Sequence, residues 1–267
     1  MNVFYINLDR RPERRQHMEA QLSRAGFSKD KIKRVTAVDG ATLNLHSSPL
    51  RSLFSAQVLK EAQEEGAASF APGSKMTRGG LGCALSHRDA YERLLERSRD
   101  NSSPGALVLE DDVRLSDHFV QKAQSLIASA PPDYDILYLG YHESWANEPI
   151  PGGNATWMRP TKQVFGTFAL YIRASSVPKI LQALFPITAQ LDSAYSRNFH
   201  RIHIYLPRPQ DCIVWSVASM ESDIQNPMAV TVTTQSKRSL LSIVLIVVLV
   251  LLVLLSCLIV AILLSRG

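Results

Sequence analysis

Residues 106–112 read Ala-Leu-Val-Leu-Glu-Asp-Asp, an apolar run that ends abruptly on three consecutive carboxylates. A run this short, rich in Leu and Val and preceded by the Pro104-Gly105 turn signal, predicts a strand buried on both faces within a parallel α/β sheet. Glu110, Asp111 and Asp112 would then emerge at the strand's carboxyl end, the edge at which open α/β sheets bind ligands. Side chains alternate along an extended chain, so Glu110 and Asp112 share one side. Clustered carboxylates raise one another's pKa unless positive charge sits among them, and a hard divalent cation meets that need. From the heptapeptide alone, a solvated acidic turn is the equal alternative.

The flanking sequence supplies the rest of such a sheet. Residues 3–8 read as a first strand, followed by a helix with Asp9 as cap, Pro12 and Glu13 in its first turn, and Met18 and Leu22 on one face, ended by Gly26. Residues 32–38 read as a second strand closed by the Asp39-Gly40 turn, completing the strand–helix–strand unit of a parallel α/β fold. One helix is expected to turn Leu53, Phe54, Val58 and Leu59 inward, with a mobile loop over 66–75. A long helix is expected over 81–97, a connector over 98–105, a helix over 118–129 and a strand over 135–139. Residues 141–160 have no regular period and read as a binding loop or lid. Residues 166–172 then read as a strand, 175–184 as a helix and 202–205 as a late strand.

The apolar residues are unevenly placed. Residues 240–264 carry no charge and are almost all Leu, Val and Ile. As a helix they would span roughly 37 Å, enough to cross a hydrocarbon core of about 30 Å with some tilt. The expected organisation is therefore a globular domain over 1–225, a linker over 226–239 and a single-pass C-terminal membrane helix over 240–264. Lys237 and Arg238 before the span outnumber Arg266 after it, which points the N-terminal domain to the cytosol. The first residues lack an apolar stretch of signal-peptide length, which agrees. The Asn101 and Asn154 sequons bear only on the luminal alternative.

The net charge of +5 does not imply nucleic acid, because Lys237, Arg238 and Arg266 account for most of the excess. The remaining basic cluster is local, at Arg10, Arg11, Arg14 and Arg15. Cys83, Cys212 and Cys257 offer neither a disulfide framework nor a zinc spacing.

Five blocks in order (VFYINLDRRPERR at 3–15, VTAVDG at 35–40, GLGCALSH at 80–87, ALVLEDD at 106–112 and GTFALYI at 166–172) resemble glycosyltransferase family 25, the group of lipooligosaccharide and procollagen galactosyltransferases. The resemblance covers about residues 1–225. It implies a GT-A-like, Rossmann-type nucleotide-sugar-binding domain with a mostly parallel central sheet, and a hexose, galactose or glucose, moved from a UDP-sugar to a glycan or hydroxylated protein acceptor. It also implies Mn²⁺ or Mg²⁺ held by a counterpart of the Asp-x-Asp motif, with Asp112 and Glu110 as ligands. In the same reading Glu110 also contacts the ribose or an ordered water, and Asp111 serves as a second ligand or orients the loop.

Other residues follow from the same comparison. Asn7 at the end of the first strand and Arg10 just past it stand where a donor nucleotide would lie. The planar fork of Arg10, Arg11 or Arg14 suits phosphate, against an exposed basic helix face as the alternative. Asp39 is placed to accept a bond from uracil or ribose, or serves only as a turn former. The resemblance gives Gly82, Ser86 and His87 a donor-pocket role; Ser86 and His87 as nucleophile and base lack an acid partner. Inversion at the anomeric carbon would need an acceptor-side base. Asp192 is the candidate, with Asp223 and Glu143 as rivals. Trp145 and Trp157 either stack on sugar or anchor a lid.

Two other function classes stand beside this one. A catalytically silent family member could serve as a membrane-anchored adhesion or scaffold protein, which loss of a metal carboxylate would favour; all three are present. A phosphoryl-transfer enzyme could use the same acidic strand end, but no P-loop Gly-x-x-x-x-Gly-Lys-Ser/Thr occurs.

Overall fold

An eight-stranded sheet in the order β2-β1-β3-β10-β5-β11-β8-β7 carries the structure, a computed structural model that describes residues 1–64, 75–101 and 104–216. The strands are β1 (Asn2–Asn7), β2 (Ile32–Thr36), β3 (Gly105–Glu110), β4 (Val113–Leu115), β5 (Ile136–Tyr138), β6 (Glu143–Ser144), β7 (Asn147–Ile150), β8 (Asn154–Pro160), β9 (Val164–Phe165), β10 (Ala169–Arg173), β11 (Ile204–Pro207) and β12 (Val214–Ser216). The helices are α1 (Pro12–Arg24), α2 (Ser48–Leu53), α3 (Ala56–Gln63), α4 (Arg78–Asn101), α5 (Phe119–Ala128), α6 (Val177–Leu184) and α7 (Leu191–Ser196). All of them belong to one unit, Met1–Asn226. The expected linker, the 240–264 span and Asp223 lie outside the described residues, as does nearly all of the expected loop at 66–75. Among the described residues no helix is long and apolar enough to cross a membrane.

The acid-tipped run is β3, paired in parallel with β1 on one side and buried through Leu109. Alternate side chains of β1 and β3 enter two different cores, as the period of two requires. Val3, Tyr5, Leu107 and Leu109 meet Met18 and Leu22 of α1 and Phe119 and Ala123 of α5 on one face. Phe4, Ile6, Ala106 and Val108 meet Leu81, Ala84 and Tyr91 of α4 on the other. Helix α1 begins with Pro at its first turn and ends in a Schellman motif: Phe27 N–H donates to the Leu22 carbonyl, Gly26 N–H donates to that of Ser23, and Gly26 takes φ +91°.

The connection through α1 carries the chain from β1 to β2 on one flank, and the one ending in α4 returns it to β3 on the other. The strand order therefore reverses around β1. Such a switch point opens a crevice beyond the strands' carboxyl ends, and both acid-bearing β3 and arginine-bearing α1 reach it.

Three expectations are corrected. The sheet is mixed rather than mostly parallel, because β10 runs antiparallel to both β3 and β5, and β8 runs antiparallel to β11 and β7. No helix lies between β5 and β10, and a parallel neighbour needs a crossover that this stretch does not supply. Residues 141–160 are not an irregular lid: they form β6, β7 and β8, and the β7–β8 hairpin extends the sheet edge. Its polar and proline content hid it, since edge strands tolerate both. The helix expected to hold Leu53 through Leu59 is two, α2 and α3, broken at Phe54, whose extended backbone bridges to Ile187.

Trp157 shows how that hairpin is held. Its ring is fully buried against the α1/α5 face, and its indole N–H donates to Ser129 Oγ at 3.1 Å. Trp157→Ala is expected to cost about 3–5 kcal/mol, the range for deleting a buried aromatic, read from the shift in urea denaturation midpoint.

Candidate active site

An open cleft lies at the carboxyl ends of β1 and β3. Arg10 and Arg14, Asp39, Ser86 and His87, and the acids Glu110, Asp111 and Asp112 all line it. Of the other residues singled out in the sequence, Asn7, Arg11, Gly82, Glu143, Trp145, Trp157 and Asp192 do not line it.

The three acids diverge. Asp111 turns toward α1, where it is buried: Asn7 Nδ2 donates to Oδ2 at 2.6 Å and Arg14 Nη1 donates to Oδ1 at 3.2 Å. Asn7 spends its remaining groups on the Arg11 carbonyl and on Arg34, so it is a brace between β1, β2 and α1. Glu110 turns toward α4 instead. Thr167 Oγ1 donates to Glu110 Oε1 at 3.1 Å, and His87 Nε2 lies 3.8 Å from the same oxygen. Burial, then the charge of Asp112, pushes the Glu110 carboxyl up to about 8 against the Thr167 bond. A cation among these carboxylates would relieve that repulsion, and hard oxygen donors suit Mn²⁺ or Mg²⁺, so Glu110 and Asp112 fit the expected metal.

Helix α4 forms one wall by close approach. A Cβ on Gly82 would stand 2.4 Å from the Val38 carbonyl oxygen, so glycine there lets the helix touch the turn after β2. Ser86 fastens the same contact, accepting from Val38 N–H at 2.9 Å and donating to the Gly82 carbonyl at 2.6 Å. Both residues shape the pocket through that turn. His87 is buried, with Nδ1 3.1 Å from the Cys83 carbonyl oxygen and Nε2 3.3 Å from that of Thr167. Burial lowers its pKa against both carbonyls, favouring the neutral ring. The acid near it, unplaced in sequence, is Glu110.

At the mouth, Arg10 Nε donates to Asp39 Oδ2 at 2.8 Å, and Asp39 also caps the following turn through Ala41 N–H. Arg11 faces Glu13 at 3.7 Å instead. On the far side, Asp192 in α7 accepts from Ser193 N–H; burial raises its pKa, and its charge is felt by Glu110. Glu143 lies on exposed β6, and Trp145 is exposed with its ring edge-to-face on Phe165.

Residues 166 and 167 are the functional pair that sequence reasoning missed. Thr167 donates to Glu110, and its neighbour Gly166 (φ +91°) lies close enough to Asp192 to lower its pKa, so one dipeptide touches the surroundings of two acids from different elements. The available signal was a Gly-Thr pair at the mouth of an apolar strand, already inside the fifth block.

The family model described as glycosyltransferase family 25 (LPS biosynthesis protein) matches residues 1–150. The chain is 27% identical over 238 residues to a glycosyltransferase 25 family member of Drosophila pseudoobscura pseudoobscura, covering 82% of this chain and 34% of that protein. It is 33% identical over 150 residues to procollagen galactosyltransferase 2 of Homo sapiens, covering 55% and 22%. It is also 34% identical over 158 residues to the probable inactive glycosyltransferase 25 family member 3 of Rattus norvegicus, covering 56% and 25%. The chain thus spans about a third or less of the length of these relatives.

Two stability measurements test the geometry. Asp111→Asn removes the charge facing buried Arg14 and is expected to cost about 3–5 kcal/mol, whereas Arg10→Ala, losing an exposed pair, costs at most about 1 kcal/mol. For Glu110 the sign follows from its raised pKa: between its ordinary 4.5 and about 8 the folded state holds a proton that the unfolded chain releases. Stability contributed by the protonated form is therefore lost as pH rises through that window. Glu110→Gln is expected to raise the Tm of the metal-free protein more at pH 8 than at pH 5.

Proposed function

Since the chain belongs to glycosyltransferase family 25, we propose that its N-terminal domain, a GT-A-like nucleotide-sugar fold, moves a hexose from a UDP-sugar to an acceptor hydroxyl. The observation that carries this reading is the convergence of Glu110 and Asp112 with Arg10 and Asp39 in one cleft at a switch point of the sheet. Galactose is the first sugar to test, because relatives are named procollagen galactosyltransferases; glucose is the second. The acceptor class is a glycan or a hydroxylated protein side chain.

In this reading Asp112 and Glu110 hold Mn²⁺ or Mg²⁺, which when bound stabilises charge on the leaving diphosphate as a Lewis acid. Arg10, at the exposed mouth, receives phosphate through its guanidinium, and Asp39 turns from Arg10 toward the ribose or base. Arg14 pairs with Asp111 and fixes it, which holds the loop that carries Asp112. The acceptor oxygen attacks the anomeric carbon as the bond to the diphosphate breaks, inverting that centre. Asp192 takes the hydroxyl proton, and a carboxyl raised by burial suits a base working near neutral pH. Gly166 and Thr167 keep the two acids in step. Residues 240–264 would tether the domain to a membrane, cytosol-facing, a reading that rests on sequence alone.

The silent-member reading has one observation behind it, the similarity to relatives named inactive. Retention of all three acids in a built cleft supports the enzyme instead.

Incubating the full chain with Mn²⁺ and a panel of UDP-sugars, with UDP release as readout, decides between them. Turnover is expected to vanish with EDTA and to fall by at least about 100-fold in Asp112→Ala, the scale for losing a preorganised electrostatic contact. A metal-independent Asp112→Ala protein of unchanged activity would end the mechanism. Thr167→Val is expected to lower kcat about 10-fold with KM for the donor little changed, and Thr167→Ser to restore it.

A further inference from the structure

The cleft wall holds a second ligand set that the oxygen-rich motif does not explain. Cys83 and His87 stand one turn apart on α4, so they share a face of the helix, and Glu110 reaches the same point from β3. One donor atom from each lies within 4.8 Å of the other two. Cys83 Sγ is 3.6 Å from His87 Nδ1, a separation close to that of two ligands on one tetrahedral ion. All three residues line the cleft, so an ion can arrive from it.

The histidine supplies an independent observation. Each ring nitrogen faces a backbone carbonyl, Nδ1 that of Cys83 and Nε2 that of Thr167. A neutral imidazole has one N–H, so it satisfies one carbonyl and leaves the other nitrogen with a bare lone pair. If Nε2–H donates to Thr167, the lone pair on Nδ1 faces the Cys83 sulfur. If Nδ1–H donates to Cys83, the lone pair on Nε2 faces the Glu110 carboxylate at 3.8 Å. In either tautomer one N–H is held by a backbone carbonyl, the arrangement that orients metal-bound histidines, and the other nitrogen keeps a lone pair with Cys83 Sγ or Glu110 Oε1 within reach. Asp192 and Asp112 add negative charge at Cys83.

We propose that Cys83, His87 and Glu110 form a site for a soft divalent cation of the zinc class, distinct in ligand chemistry from the Asp112 side of the cleft. A thiolate, an imidazole and a carboxylate together neutralise a divalent charge, and sulfur and nitrogen select zinc or cobalt over manganese or magnesium. Three protein ligands leave a fourth position open to the cleft. Because Glu110 belongs to both ligand sets, zinc held here withdraws it from the manganese side. The inhibition that follows rests on the proposed transferase activity; the binding does not.

Cobalt(II) is the probe, added to the metal-free full chain. The expected result is a thiolate-to-cobalt charge-transfer band with the intense visible bands of four-coordinate cobalt, both displaced by stoichiometric Zn²⁺. The bands should persist in the Cys212→Ser, Cys257→Ser double variant and vanish in Cys83→Ala, with zinc affinity reduced by more than the 10–100-fold that loss of an outer partner costs. Should Cys83→Ala fail to fold, Cys83→Ser and the protection of Cys83 from alkylation by Zn²⁺ in the native chain decide the same point. No charge-transfer band in the native chain, a band that survives loss of the Cys83 thiol, or a band that disappears with Cys212 and Cys257 overturns the proposal. In the activity arm, Zn²⁺ should inhibit Mn²⁺-supported turnover, and Cys83→Ala should need at least 10-fold more zinc. A protein with no turnover but a normal cobalt spectrum would refute the transferase reading and leave the zinc site standing.

Discussion

The ion pair between Arg14 and Asp111 is the constraint on which the cleft depends. Both side chains are almost wholly buried, 7% and 10% exposed, with Asn7 hydrogen-bonded to the same carboxylate. A buried charge is tolerated only when paired and hydrogen-bonded, so the pair fixes where α1 begins relative to the tips of β1 and β3. It also separates the acids. With Asp111 drawn to α1 by a guanidinium, Glu110 is left on the opposite side of the extended chain, facing α4. The adjacent carboxylates Glu110 and Asp111 thereby acquire different partners.

Glu110 sits in the opposite electrostatic setting. It has a hydroxyl and a neutral imidazole near it, and the charges of Asp112, Asp111 and Asp192 around it. The fold thus keeps an acid where its ionised form is disfavoured, the common signature of a group placed for chemistry rather than stability. A cation bound beside it would offset that cost. The same logic extends across Gly166-Thr167 to Asp192, also raised by burial. The cleft therefore joins a well-compensated acid, which holds the frame, to poorly compensated ones.

The resemblance and the physical reading met at the same residues for different reasons. Asn7, Gly82 and Ser86 lie in the matching blocks, yet in the structure they work behind the wall: a brace, a point of close helix approach and a fastening between α4 and the turn after β2. A motif marks positions that matter to a site without saying whether they touch its ligand. Trp157 shows the converse. Lying in a stretch without periodicity, it read as a sugar platform or lid anchor, and it is a core residue under an edge hairpin.

What the sequence alone determined is the local half of the protein. The Leu- and Val-rich run of β3, the Pro12 start and Gly26 end of α1, and the acids at a strand tip were legible because each depends on residues a few positions apart. The tertiary structure decided what depends on residues far apart in the chain. That includes the antiparallel course of β10, the edge strands within 141–160, the division of labour among Glu110, Asp111 and Asp112, and the meeting of Thr167 with Glu110 and His87. Strand direction follows from how a connection crosses the sheet, and a carboxylate's ionisation follows from which distant groups it is buried against. Neither quantity has a local signature, so neither could be read before the chain was folded.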